Sequence, residues 1–413
     1  MSGIVKQTRL TVFLRIRGEY RGMEYPLAGL KVLDFSRVLA GPFAGRMLSD
    51  LGADVVKVEP PEGDVTRYWG KHVAGIPGYF HQQNAGKRNI CIDLRAEGAI
   101  ELVKTMVREA DILIENYRPD VMDRLGIGYE ALRDVNPALI MLSISGFGRN
   151  GPESRRAAYA PVVHAEAGLI HRTTDRNDVK LHDLPLSVAD TNASLHGLVG
   201  VLAALHLRGK TGEGQHIDIA MIDATIATDD QMHYDLEVSG GTGPLPNEIW
   251  ETPIGPVLLS TDFRLLFREL TGKLGLTDPS NPDMPLDEKI AVRREAVQQH
   301  INTLDTFDKF SAAMKTMNIA WGQVRDPSTL RDQPTVAARG AIVDIDNRDG
   351  GTRPITQSPY RFSSAKSGVR GPAAHRGEHH REILNDWLGM DESTIGKLMD
   401  DSVIVYDPEW RHH

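Results

Sequence analysis

The chain has 413 residues, of which 41% are hydrophobic and 25% charged, with a formal net charge of −9. This is an ordinary globular composition on a chain too long for one compact domain, so two domains are expected. The acidic balance argues against a general nucleic-acid or membrane-surface binder, while leaving room for a local basic pocket that takes a phosphorylated ligand. The single cysteine, Cys91, excludes an intramolecular disulfide, so nothing points to an oxidising compartment and a cytoplasmic location is expected.

The first 22 residues carry four arginines and no long apolar core, which makes a poor secretory signal. Residues 1–25 read as an N-terminal extension, because the orderly pattern begins just after Met23. Residues 31–35 read as a short buried strand, followed by Gly41-Pro42 and a helix over 44–51. Residues 54–59 form a second strand and 89–94 a third, with Cys91 as a small buried hydrophobe inside it. A helix over 96–109 leads to a fourth strand at 111–115, and a fifth follows at 139–144. Short apolar strands alternating with amphipathic helices predict βαβ units, a parallel sheet and the α/β class. In such sheets ligands gather at the carboxyl ends of strands.

Residues 195–207 predict a helix of small and aliphatic residues buried nearly all round. Its most apolar run, 197–207, falls short of the ~20 residues of a membrane span. A glycine-rich turn and a strand at 216–220 follow. Beyond about Asp230 the texture changes: 231–245 read as a linker and 246–350 as a smaller α+β domain. The tract 354–380 leads to a last helix over 381–388. Its histidines at 375–380 lack the regular spacing of a ligand set, so a solvated loop is expected there and no metal site. There is no G-x-G-x-x-G and no P-loop motif. Asp190, in Ser187-Val188-Ala189-Asp190-Thr191-Asn192, stands just ahead of the apolar helix. On position alone it reads as a helix cap.

Several ordered stretches change that reading. Val38-Leu39-Ala40-Gly41-Pro42 follows the first strand, and Leu51-Gly52-Ala53-Asp54-Val55-Val56-Lys57-Val58-Glu59 leads into and spans the second. Further on stand Asn84-Ala85-Gly86-Lys87-Arg88, Glu115-Asn116-Tyr117-Arg118-Pro119, Ser145-Gly146-Phe147-Gly148 and Lys210-Thr211-Gly212-Glu213-Gly214-Gln215. In order and spacing, across most of residues 27–225, the chain resembles the family III coenzyme A transferases (the CaiB/BaiF family). The resemblance implies a Rossmann-like large domain built from both chain ends, here 26–230 and 351–413. It also implies a small inserted domain and two chains interlocked as a homodimer.

The resemblance further implies an enzyme with no tightly bound cofactor, acting on acyl-CoA and a carboxylic acid. In this chemistry an aspartate attacks the thioester, forming a mixed anhydride and then an aspartyl-CoA thioester. Covalent catalysis of this kind splits one hard transfer into easier steps, and the nucleophile falls on Asp190. The N–H groups of its helix start would stabilise the carboxylate and the oxyanion formed on attack. Arg124 matches a position at the nucleotide end of CoA, Asn116 and Tyr117 line the CoA channel, and Arg95 falls at a basic contact. Backbone groups of Val38, Leu39 and Ala40 approach the cofactor. Ile92, Arg118, Ser145 and Tyr159 complete the expected contacts. Guanidinium suits phosphate because it pairs bidentately.

The chain also departs from the family. Ala158-Tyr159-Ala160-Pro161 lacks the acidic residue often found there and the histidine of the racemases. That speaks against α-proton exchange, which needs a paired acid and base; His164 is a nearby substitute, with a hydrogen-bonded core histidine the simpler reading. No run of glycines appears in 245–275, which weakens a formyl/oxalate assignment. The alternatives to a transferase are an acyl-CoA racemase or isomerase on the same scaffold, and a non-catalytic CoA-binding protein.

Overall fold

The computed structural model describes residues 24–177, 180–239 and 247–406. Most of the expected N-terminal extension, the glycines at 240–243 and the terminal histidines lie outside them. The chain forms two compact units, residues 1–230 with 339–413, and residues 231–338.

The first unit is built on six strands: β1 Lys31–Asp34, β2 Asp54–Glu59, β3 Arg88–Cys91, β4 Ile112–Glu115, β5 Ile140–Ser145 and β6 His216–Ala220. They pair in the order β3-β2-β1-β4-β5-β6, every pair parallel. Strands covered on both faces read as continuous apolar runs, here Val-Val-Lys-Val and Ile-Leu-Ile. One face buries Val56, Ile90, Leu113 and Met141 under helix α2, Ala99–Glu109, and helix α5, His380–Leu388. The other buries Val32, Ile112, Ile140 and Leu142 under α1, Ala40–Asp50, and α4, Val188–Thr211. Strand order reverses direction between β1 and β4, and this is where a doubly wound sheet opens a crevice at its carboxyl edge.

Helix α4 is not buried all round, as its composition led us to expect. Ala189, Ala193, Gly197, Leu198, Val201 and Ala204 are buried, whereas Leu195, Val199, Leu202 and Leu207 are exposed. Its small residues serve close approach: a Cβ at Gly197 would stand 3.0 Å from Leu142. By length and composition alone the 24-residue helix could cross a membrane, but its inner face lies in the core of this unit. The histidine tract is not a solvated loop either. His380 is buried and bonds Gly377 O through Nδ1, and Gly377 N–H donates to Asn89 Oδ1 at 2.7 Å. Cys91 is fully buried, its thiol pushed up to about 12 by burial.

The second unit has a three-stranded antiparallel sheet of Glu248–Trp250, Val257–Leu259 and Trp321–Gln323. Helices Phe263–Lys273, Leu286–Asn302 and Phe307–Met317 close a core around Val257, Leu259, Leu270 and Phe310. The chain rejoins the first unit at Arg339, ahead of the 351 expected. The hairpin Ile342–Asp346 with Thr352–Thr356 straddles that expected boundary; its ten backbone partners keep it together.

Candidate active site

At the reversal of strand order, the loops after β1, β4 and β5 enclose a cleft of about 250 Å³. Its walls include Arg37, Val38 and Ala40 after β1, Asn116, Tyr117 and Arg118 after β4, and Ser145 and Tyr159 after β5, with Asp190 among them. Eight of the twelve residues singled out from sequence therefore meet here: Asp190, Val38, Ala40, Asn116, Tyr117, Arg118, Ser145 and Tyr159.

Asp190 is the third residue of α4. The backbone N–H groups of Ala40 and Ala160 stand beside its carboxylate and favour its charged form. Ala40 is the first residue of α1, and Ala160 the first of α3, Ala160–Glu166. Three helix N-termini thus lie beside one carboxylate, each bringing the positive end of its dipole. Burial nevertheless dominates and raises the Asp190 carboxyl to about 6, against the two N–H donors and the nearby His164. At pH 7 such a group is about nine-tenths ionised. It is also poorly solvated and more basic than an exposed carboxylate.

His164 is 1% exposed. Its Nδ1 lies 2.8 Å from Asp183 Oδ1, and its Nε2 accepts the N–H of Ala189 at 3.2 Å. Those partners assign the proton to Nδ1 and leave no nitrogen for substrate. The ring is a brace for the start of α4.

The loop after β1 is held at each residue. Ser36 N–H donates to Asp34 Oδ1 at 3.0 Å, and Lys57 Nζ donates to Ser36 O at 2.5 Å. Asn116 bonds Arg37 twice: Oδ1 accepts its N–H at 2.7 Å and Nδ2 donates to its C=O at 2.8 Å. Val38 N–H donates to both Asp64 oxygens, at 3.1 and 3.4 Å. Val38 has φ +68°, a left-handed conformation that costs a β-branched residue ~1–3 kcal/mol. The anchors are ionic and buried. Lys57 pairs with Asp64 at 3.2 Å and Lys87 with Asp34 at 2.7 Å, all four side chains at most 1% exposed. Burial pulls Lys87 down to about 8 against Asp34, whereas the lysines hold Asp34 below the usual range despite its burial.

Four expected contacts lie elsewhere. Arg95 is exposed and turned back onto Asp93 at 2.8 Å. Ile92 is fully buried and bridges Ile404. Leu39 is 7% exposed, its side chain packed at the start of α1. Arg124 is exposed on the short helix Val121–Arg124, outside the cleft lining. Asn116 does line the cleft, but its amide is occupied by Arg37. Sequence reading also missed Arg37 itself, whose Nε is buried without a hydrogen-bond partner. Its place directly after a strand carboxyl end was the available signal. Arg156 lines the cleft too, but it is bound to Glu153 at 3.2 Å and to Glu166 at 2.6 Å. Arg37 and Arg118 are therefore the cations in this wall with no carboxylate partner among the described residues.

Residues 27–380 match CoA-transferase family III. A succinate–glutarate CoA-transferase from Agrobacterium fabrum is 33% identical over 87% of this chain and 95% of its own length. A succinyl-CoA–D-citramalate CoA-transferase from Chloroflexus aurantiacus is 30% identical over 92% and 98%. The crystal structure of a CaiB/BaiF family protein from Brucella suis superimposes with a TM-score of 0.74 at 30% identity, covering 88% of this chain and all of that one. That family match over most of its length, with relatives of this identity and coverage, shows that the chain belongs to CoA-transferase family III.

Proposed function

We propose that the protein moves coenzyme A from an acyl-CoA thioester to a carboxylic acid through covalent intermediates on Asp190. The observation that carries this reading is the Asp190 carboxylate, half-buried in the cleft wall with the N–H groups of Ala40 and Ala160 beside it. An Asp190 oxygen attacks the thioester carbon, the C–S bond breaks, and CoA thiolate leaves an acyl-aspartyl anhydride. The thiolate then attacks the Asp190 carbonyl carbon, releasing the donor acid and leaving an aspartyl-CoA thioester. An acceptor carboxylate attacks that carbon and expels the thiolate. The thiolate takes the acceptor acyl group and frees Asp190, with no net proton consumed. In each attack charge gathers on an oxygen beside fixed backbone donors, which need no reorganisation. Arg37 and Arg118 supply charge for the CoA phosphates.

The acceptors named for the relatives, glutarate and D-citramalate, support a dicarboxylate acceptor here. The proposal includes a cytoplasmic homodimer; the exposed Leu195, Val199 and Leu202 on α4 support an apolar partner surface. The racemase reading lacks a free acid–base partner, because both nitrogens of His164 are engaged.

The test is mass spectrometry of the Asp190 peptide after incubation with succinyl-CoA and hydroxylamine. A hydroxamate on Asp190, formed only with the thioester present, is expected. An unmodified peptide while products accumulate would overturn the covalent route.

A further inference from the structure

We propose that Asn116 and Asp64 are positioning residues that hold Val38 in its left-handed backbone conformation and thereby aim the Ala40 N–H at the Asp190 carboxylate. The inference rests on the assignment of Asp190 as nucleophile and extends it to residues whose side chains bond the backbone of the loop after β1.

A loop that merely had to cross from β1 to α1 would place glycine at φ +68°, where glycine is unstrained. Valine stands there instead, so something outside the loop imposes the conformation. Two side chains do so. Asn116, from the loop after β4, takes both backbone groups of Arg37. Asp64, on the segment after β2, takes the Val38 N–H. Asp64 is fixed in turn by Lys57 and by Thr66, whose N–H and hydroxyl donate at 3.0 and 2.9 Å. Two residues after Val38, the chain enters α1 at Ala40, which lines the same cleft as Asp190 and whose N–H acts on that carboxylate. The far side of Ala40 is pinned as well, because its C=O accepts the Ser194 hydroxyl of α4. A change in the Val38 dihedral would swing this peptide, and a misplacement near 1 Å can cost on the order of a hundredfold in rate.

The test compares Asn116→Ala with the double variant Asn116→Ala/Val38→Gly. Two readouts are used: the pH midpoint of the Asp190 carboxyl, followed by ¹³C NMR and assigned with Asp190→Asn, and kcat with succinyl-CoA as donor. In Asn116→Ala the midpoint should rise above the parent's, because a donor to the carboxylate is misaligned, and kcat should fall on the order of tenfold or more. Adding Val38→Gly should return the midpoint to the parent's and recover most of kcat, since glycine takes this dihedral without strain and the Asp64 bond alone then keeps it. A midpoint unmoved in Asn116→Ala, or one that glycine does not restore, overturns the proposal. If Asn116→Ala does not fold, the double variant decides: the parent midpoint supports the clamp, and a raised midpoint or failure to fold overturns it. A parent without transferase activity, but with the midpoint moved and restored as stated, would sink the catalytic reading and leave the clamp standing. An active parent with no movement would do the reverse.

Discussion

His164 accepts the backbone N–H of Ala189, at 3.2 Å, one residue ahead of Asp190. The same ring is tied to Asp183 on its other side. The histidine thus sets where α4 begins and so where the carboxylate stands. His164→Ala would leave the Ala189 N–H buried and unpaired, a cost of about 1–3 kcal/mol. We expect a lower thermal midpoint together with a lower kcat, and partial recovery of both in His164→Gln, which retains an acceptor. Thermal unfolding and steady-state kinetics on the pair check this.

Asp190→Asn should abolish turnover and at the same time stabilise the fold at neutral pH. The Asp190 carboxyl is raised to about 6 from 3.8, chiefly by burial. Below pH 3.8 it is protonated in folded and unfolded chains alike and carries no penalty. As pH rises through 6 the folded state loses stability relative to the unfolded one, by up to ~3 kcal/mol. The gain from asparagine should therefore be full above pH 7, shrink between pH 6 and 4, and vanish below. Denaturant midpoints measured across pH 4–8 would show it; a gain independent of pH would rule the explanation out.

Arg37 and Arg95 separate the cleft from the sequence-based expectation. A charge-assisted contact with phosphate is worth ~1.5–3 kcal/mol, or roughly ten- to a hundredfold in affinity. Arg37→Ala should raise the KM for acyl-CoA by at least the lower figure with kcat little changed. Arg95→Ala, which frees only the half-buried Asp93 and the distant Glu62, should stay within about twofold of the parent. Equal effects in the two variants would place the cofactor elsewhere.

Gly45→Ala should destabilise strongly, although alanine in a helix normally gains ~1 kcal/mol over glycine. A Cβ there would stand 2.6 Å from Asp34 Oδ2 and 3.2 Å from Lys87 Nζ. Breaking that buried pair is expected to cost ~3 kcal/mol or more. Urea unfolding gives the value directly.

Much of the large unit was legible because its strands are covered on both faces, so runs such as Asp-Val-Val-Lys-Val-Glu announce themselves locally. Asp190 was legible through the ordered motifs around it. The brace from His164 to Ala189 was not, since it pairs residues 25 apart and a lone histidine carries no local sign of its partner. The same holds for Asn116, read as a cofactor contact, whose amide is spent on a loop 79 residues away. Arg95 misled because it follows a strand, yet Asp93 stands two residues before it and captures the guanidinium. Helix α4 misled because its apolar residues lie on both faces: Leu198 and Val201 are buried with the small residues, whereas Leu195, Val199 and Leu202 are exposed.

The Asp190 corner is assembled from residues 40, 160 and 190, on three helices with long stretches of chain between them. No fragment carrying the aspartate alone would contain it, and releasing any one of the three helices would return Asp190 to the behaviour of an ordinary surface acid. Its titration is therefore a gauge of cooperative assembly. A chain with α4 docked but α1 still loose would lack the Ala40 N–H beside Asp190, and its carboxyl would titrate differently from that of the finished fold.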